Sequence, residues 1–169
     1  MSWGYDLVLP EDIGLDSKTS SPKANETGSV EPFVVRDYVR WSDVDHLQVM
    51  RYDAYVRFFD IGEQELFRAA GLPYREFVIR SDAAFPRKAL SVEYLSPSRI
   101  DECLAVHTVI RQLGTSSFTL AYEVAGDDGR LRARGYVVVV CVDRQVFRKR
   151  SIPDDVKEKL APWTVKSVD

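Results

Sequence analysis

Tyr55, Phe58, Phe59, Gly62, Leu66 and Ala69 follow one another at steps of three and four, which is one face of an α-helix. Upstream, Phe33 to Trp41 (FVVRDYVRW) is dense in β-branched and aromatic residues. Such residues suit a pleated, half-buried surface, so this run predicts a first strand ending at Ser42-Asp43. Downstream of the helix the period changes. Phe118, Leu120, Tyr122 and Val124 alternate with Ser117, Thr119, Ala121 and Glu123, which predicts a strand with one buried and one wetter face. Strands are predicted over Leu90 to Leu95, Cys103 to Leu113, Ser116 to Ala125 and Leu131 to Asp143. Turn chemistry at Pro97-Ser98, Gly114 and Asp127-Asp128-Gly129 separates them. The run YVVVVCV (Tyr136 to Val142) is apolar on both faces, as a central strand is.

Asp53 stands where a helix N-cap would, because its side-chain oxygen can accept from the first orphan amides. Gly71 followed by Pro73 ends the helix. Four strands after one long helix must bury that helix, and the economical arrangement is a curved antiparallel sheet wrapped around it, an α+β domain. Residues 1–31 read as a flexible extension, because DSKTSSPKANETGSV has no apolar period that could bury a face. Residues 32–150 form the domain. Residues 151–169 form a tail with a short helix over SIPDDVKEKLAPW, Pro153 near its first position.

Charge narrows the partners. The 169 residues carry 23 basic and 26 acidic side chains, a net charge of -3, so the molecule as a whole has no field that attracts nucleic acid or an anionic bilayer, and any such binding is local. The one basic cluster, RQVFRKR from Arg144 to Arg150, reads as a solvated strand end. No stretch approaches the roughly 18 apolar residues of a membrane span, and the N-terminus lacks a signal pattern, so a cytoplasmic protein is expected. Cys103 and Cys141 have no neighbours at metal-ligand spacing and read as reduced thiols, with no metal site.

Candidate chemistry is limited by what is missing. The chain has two histidines, His46 and His107, and no G-x-S-x-G, phosphate-cradling glycine loop or H-E-x-x-H, which leaves carboxylates, hydroxyls and backbone dipoles. His107 lies among alternating apolar residues and reads as a hydrogen-bonded structural histidine. The segment WSDVDHLQVMRY joins strand to helix, where catalytic groups tend to sit. In an extended D-x-D, Asp43 and Asp45 share a face and repel. An exposed acidic loop and a catalytic carboxylate both fit this spacing.

The stretch RWSDVDHLQVMRYDAYVRFFDIGEQELFRAAGL, followed by SVEYLSPSRIDE, VIRQLGTSSFTLAYEV and DDGRLRARGYVVVVCVD, resembles the hotdog-fold thioesterases of the 4-hydroxybenzoyl-CoA thioesterase type. The resemblance runs from about Phe33 to Asp143. It implies a hotdog fold and hydrolysis of an acyl-CoA thioester to free acid and CoA. The matching position for the catalytic carboxylate is Asp45, which attacks the carbonyl or activates water, with Asp43 supporting the loop. The matching oxyanion donor is the Tyr52 backbone amide at the start of the helix. Glu63 is a second choice for the catalytic group, because some members use a helix glutamate, although Asp60, Glu63 and Glu65 are all expected to face solvent. His46 adjoins the catalytic position. Many members have glycine where Gln48 stands and a different residue at Arg51. Gln48 therefore reshapes the site, and Arg51 either pairs with Asp45, meets the acyl group or is an unpaired surface arginine. Arg87, Lys88, Arg99 and Arg134 are candidates for the CoA phosphates by analogy with cations on surface loops of the family, and the Arg144 to Arg150 cluster could also serve. No cofactor is implied beyond the CoA of the substrate. The resemblance also implies a homodimer or a dimer of dimers. The competing function is a non-catalytic hotdog protein that binds acyl-CoA or acyl carrier protein.

Overall fold

The structure, a computed structural model, describes residues 30–80 and 82–165. The extension expected over 1–31 therefore lies almost wholly outside the described residues. The elements run β1 (Phe33–Tyr38), a 3-10 turn (Trp41–Asp43), α1 (Ala54–Ala69), α2 (Tyr74–Arg80), β2 (Ala83–Ala84), β3 (Arg87–Tyr94), β4 (Cys103–Leu113), β5 (Ser117–Gly126), β6 (Leu131–Val140), β7 (Val142–Asp143) and α3 (Asp154–Leu160). Five strands form one antiparallel sheet in the order β1-β4-β5-β6-β3, and β2 pairs with β7 apart from it. Register shifts after Arg87, Ile110 and Val124 bend the strands, as bulges do.

α1 lies against β1, β4 and β5. Its stripe Tyr55, Phe58, Phe59, Gly62, Leu66 is buried as the spacing predicts, and it meets the alternating face of β5, with Phe118, Leu120, Tyr122 and Val124 buried. Each large side chain removed from water here contributes about 1.5–3 kcal/mol, so packing fixes the helix more than propensity does. Two glycines permit the close approach. A Cβ at Gly62 would stand 2.5 Å from Thr108 Oγ1, and one at Gly135 would stand 2.1 Å from the Ser91 carbonyl and 2.8 Å from the Phe59 ring. Phe59 stacks on Tyr122 with ring centroids 4.4 Å apart.

Several expectations are corrected. Asp53 does not cap α1 with its side chain, because Arg51 holds its carboxylate in a bidentate pair. Pro73 does not only end α1: its carbonyl accepts from the N–H groups of Glu76 and Phe77 at 2.9 and 3.0 Å and starts α2, which was not anticipated. Leu131 to Asp143 is two strands, since the chain leaves the large sheet at Cys141 and pairs with β2. β3 begins at Arg87 rather than Leu90, which puts Arg87 and Lys88 on a strand and not on a loop. Gly71 ends α1 with φ +71°, and α3 follows Pro153, both as expected. His107 is buried, as a structural histidine is, and its Nδ1 has no hydrogen-bond partner among the described residues. Both cysteines are free thiols.

Candidate active site

The segment between β1 and α1 is not an open loop. The Arg51 N–H donates to the Asp43 carbonyl at 2.8 Å, and the Asp45 N–H donates to the Val49 carbonyl at 3.0 Å, so Asp43–Asp45 and Val49–Arg51 form a small hairpin. Its tip is a turn in which Gln48 N–H returns to the Asp45 carbonyl at 2.9 Å. Gln48 then takes φ +58°, the left-handed residue that closes a three-residue hairpin loop. Asp45 opens the turn. Its Oδ1 accepts from the N–H of Leu47 at 2.8 Å and of Val49 at 3.4 Å, an Asx-type arrangement. Its Oδ2 has no hydrogen-bond partner among the described residues. One oxygen is thus fixed by the backbone and the other is presented, on a side chain that is half-buried. His46, Leu47 and Gln48 form the exposed tip.

Asp43 is held quite differently, by an arginine. It is 5% exposed, held by the Arg57 guanidinium from α1 through Nε at 3.2 Å and Nη2, and it also accepts from the Arg40 N–H at 2.9 Å. Arg57 reaches Asp37 on β1 with its Nη1. Burial disfavours the charge on Arg57, but its bonds to Asp43 and Asp37 outweigh that and raise its pKa. Burial likewise works against the Asp37 carboxylate, and the Arg57 bond more than offsets it, so Asp37 titrates below its ordinary range. The clamp ties strand, hairpin and helix together. Arg57 had no sequence signal, because its partners lie 14 and 20 residues upstream and meet it only once the helix packs on β1.

At the helix start, the Tyr52 N–H has no acceptor among the described residues, while the Tyr52 carbonyl accepts from the Tyr94 hydroxyl at 3.0 Å. The unpaired amide and the positive end of α1 make this a place where negative charge is stabilised. Arg51 pairs with Asp53, not Asp45, at 3.0 Å through both Nε and Nη2, and donates to the Ser42 carbonyl at 3.2 Å. Buried Ser98 supports the hairpin from below, its carbonyl accepting from the Met50 N–H at 2.9 Å.

Glu63 lies elsewhere. Contrary to the expected solvent-facing position, it is 4% exposed, and its Oε1 accepts from the Tyr74 hydroxyl and from Arg87 Nη2. Burial, and then the charge of Glu63, raises the pKa of the Tyr74 hydroxyl. Burial opposes the charge on Arg87, and Glu63 restores it. The cluster lines a cavity of about 200 Å³ together with Phe67, Phe77, Phe85 and Phe118. Nine residues of helix separate Glu63 from Ala54, roughly 13 Å of axis, so Glu63 and Asp45 do not converge. Arg87 is engaged internally, and Arg134 pairs with Glu93 at 2.6 Å. Lys88 is exposed on β3. Arg99 bridges to Val49 beside the Asp45 turn, so it is the phosphate candidate adjacent to that carboxylate. Among the described residues no group of three or more His, Cys, Asp or Glu is placed to hold a metal.

Comparison with known proteins agrees with this architecture. The thioesterase-like superfamily matches residues 39–160. The acyl-CoA thioester hydrolase YbgC of Escherichia coli is 25% identical over 118 residues, covering 70% of this chain and 87% of that protein. A 1,4-dihydroxy-2-naphthoyl-CoA hydrolase of Nostoc punctiforme is 23% identical over 76% of this chain and 86% of its own length. Among solved structures, a 1,4-dihydroxy-2-naphthoyl-CoA thioesterase from Synechocystis superposes with a TM-score of 0.72 at 19% identity, covering 76% of this chain and 95% of that one. A Staphylococcus aureus protein in complex with CoA superposes with a TM-score of 0.73 at 16% identity, covering 79% and 84%. The two structures speak for the fold.

Proposed function

The chain belongs to the thioesterase-like superfamily, and on that premise we propose that it hydrolyses an acyl-CoA thioester to the free acid and CoA, with Asp45 as its catalytic carboxylate. The observation that carries the reading is the state of Asp45: Oδ1 is pinned by two backbone amides and Oδ2 is left for chemistry. That oxygen takes a proton from water as the water oxygen attacks the thioester carbonyl. Negative charge then develops on the carbonyl oxygen, where the Tyr52 N–H and the α1 dipole stabilise it. Collapse breaks the C–S bond, and the proton held by Asp45 goes to the departing CoA thiolate. Asp43 and Arg57 position the hairpin without touching the reacting atoms. Arg99 faces the CoA phosphates, with Arg51 at the acyl side.

Thiol release measured across a panel of acyl-CoAs tests this. Asp45→Asn keeps the turn's acceptor oxygen but removes the base, and is expected to lower kcat by about 10²–10⁴ with little change in KM. Equal activity of wild type and Asp45→Asn sinks the assignment. Saturable thermal stabilisation by acyl-CoA with no turnover on any substrate points instead to a binding protein.

The reading includes a homodimer. β3 is an edge strand that exposes Leu90 and Tyr94, and Tyr94 is bonded to the helix start. An apolar edge of this kind is normally paired or covered. A monomer in light scattering at micromolar concentration contradicts it.

A further inference from the structure

A second tight turn follows β7. The Asp143 N–H donates to the Arg148 carbonyl at 2.7 Å, and the Phe147 N–H donates to the Asp143 carbonyl at 3.0 Å. The Asp143 carboxylate closes the turn by accepting from the N–H groups of Gln145 and Val146 at 2.9 and 3.0 Å. Its base is anchored in the fold. Cys141 and Val142 are buried, the Arg150 N–H donates to the Cys141 carbonyl at 3.1 Å, and the Arg144 N–H to the Asp82 carbonyl at 2.9 Å. This is an ordered finger.

Its tip is costly for an isolated domain. Val146 is 64% and Phe147 67% exposed, side by side at the apex, and Phe147 holds φ +56°, a conformation that disfavours a bulky residue. Three cations, Arg148, Lys149 and Arg150, follow them directly along the chain, on a molecule whose net charge is -3. The only carboxylate of the stretch, Asp143, is committed to the turn and stands 3.9 Å from Arg150. Fields fall off within a Debye length of about 8–10 Å in physiological salt, so the basic tip acts locally whatever the net charge.

We propose that this finger docks the protein on the headgroup layer of an anionic phospholipid bilayer. Phe147 and Val146 enter the interface, and the cations that follow them meet the lipid phosphates. The shape favours this occupant, because adjacent apolar side chains at the apex of a protruding turn are convex and suit a soft layer. Charge disfavours a second copy, since a two-fold contact between fingers would bring two sets of Arg148, Lys149 and Arg150 together. The docking is peripheral, as no helix among the described residues is long and apolar enough to cross a membrane. It does not depend on the role of Asp45.

Co-sedimentation of the full chain with equimolar phosphatidylglycerol–phosphatidylcholine vesicles, against pure phosphatidylcholine vesicles, tests the proposal. The wild type is expected to partition onto the anionic vesicles at least ~10-fold more strongly, and high salt to remove the difference. Two double variants, Val146→Ser with Phe147→Ser and Arg148→Glu with Lys149→Glu, are each expected to lose ~10-fold or more. Near-UV circular dichroism and an unchanged thermal midpoint check that both remain folded. Failure of the wild type to bind anionic vesicles overturns the proposal, as does binding that both variants retain. Capture by soluble poly-glutamate without vesicle binding overturns it in favour of an acidic protein. Loss of self-association in the variants, again without vesicle binding, assigns the finger to an interface between copies.

Discussion

At the scale of single residues, the site depends on one backbone angle. Gln48 closes the hairpin tip at φ +58°, and its N–H bond to the Asp45 carbonyl holds the turn whose amides grip Asp45 Oδ1. A left-handed conformation costs a residue with a Cβ about 1–2 kcal/mol, which is why glycine is common at this position of such turns. Gln48→Gly is expected to stay within about 1 kcal/mol of wild type in urea unfolding, because relief of that cost is offset by the extra entropy of an unfolded glycine. Gln48→Val puts a β-branched side chain at the same angle and is expected to lose about 1–2 kcal/mol. It should also lower kcat, because the turn that orients Asp45 is strained with it. Equal tolerance of glycine and valine would show that the positive φ is not kept in solution.

At the scale of elements, the parts that repeat a period were legible in the sequence, and the parts that depend on a distant partner were not. The stripe of α1 and the alternation of β5 each bury the face their spacing assigns, because both faces meet each other and nothing competes. Asp53 has the right residue type for a cap, yet a guanidinium two residues away takes its carboxylate. Glu63 follows the polar pattern of a solvent face, but α2 and the start of β3 bring Tyr74 and Arg87 over it, and neither packing was visible before α2 was known. In the sequence Asp43 and Asp45 form one acidic pair. The helix separates their roles by supplying Arg57 to the first, while the turn holds the second. The catalytic candidate itself came from family resemblance, since a D-x-D in a loop is equally consistent with a solvated turn.

At the scale of the whole molecule, two titratable groups on the sheet face turned away from α1 respond to acid in opposite senses. His107 on β4 lies opposite Val34 of β1 and Glu123 of β5. Burial, and then the Arg36 charge, lower its pKa below the ordinary 6.5. The folded protein therefore holds a neutral imidazole over a range where the unfolded chain is already protonated. Stability from this group is complete above pH 6.5 and is lost as pH falls from there to the folded value, by at most about 1.4 kcal/mol per pH unit. Glu123 acts in the opposite sense. Its burial raises its pKa above 4.5, with Arg134 only partly countering, so the fold is favoured as Glu123 becomes protonated. The two effects oppose one another in mildly acidic solution, and the wild-type profile alone does not separate them. His107→Gln removes the first and keeps a polar side chain of similar size. Its unfolding free energy in urea is expected to fall less steeply than that of wild type between pH 6.5 and 5, and the Glu123→Gln background is expected to enlarge the wild-type slope. Parallel profiles for wild type and His107→Gln would mean that the imidazole keeps its ordinary proton affinity in the fold, and that acid sensitivity arises elsewhere.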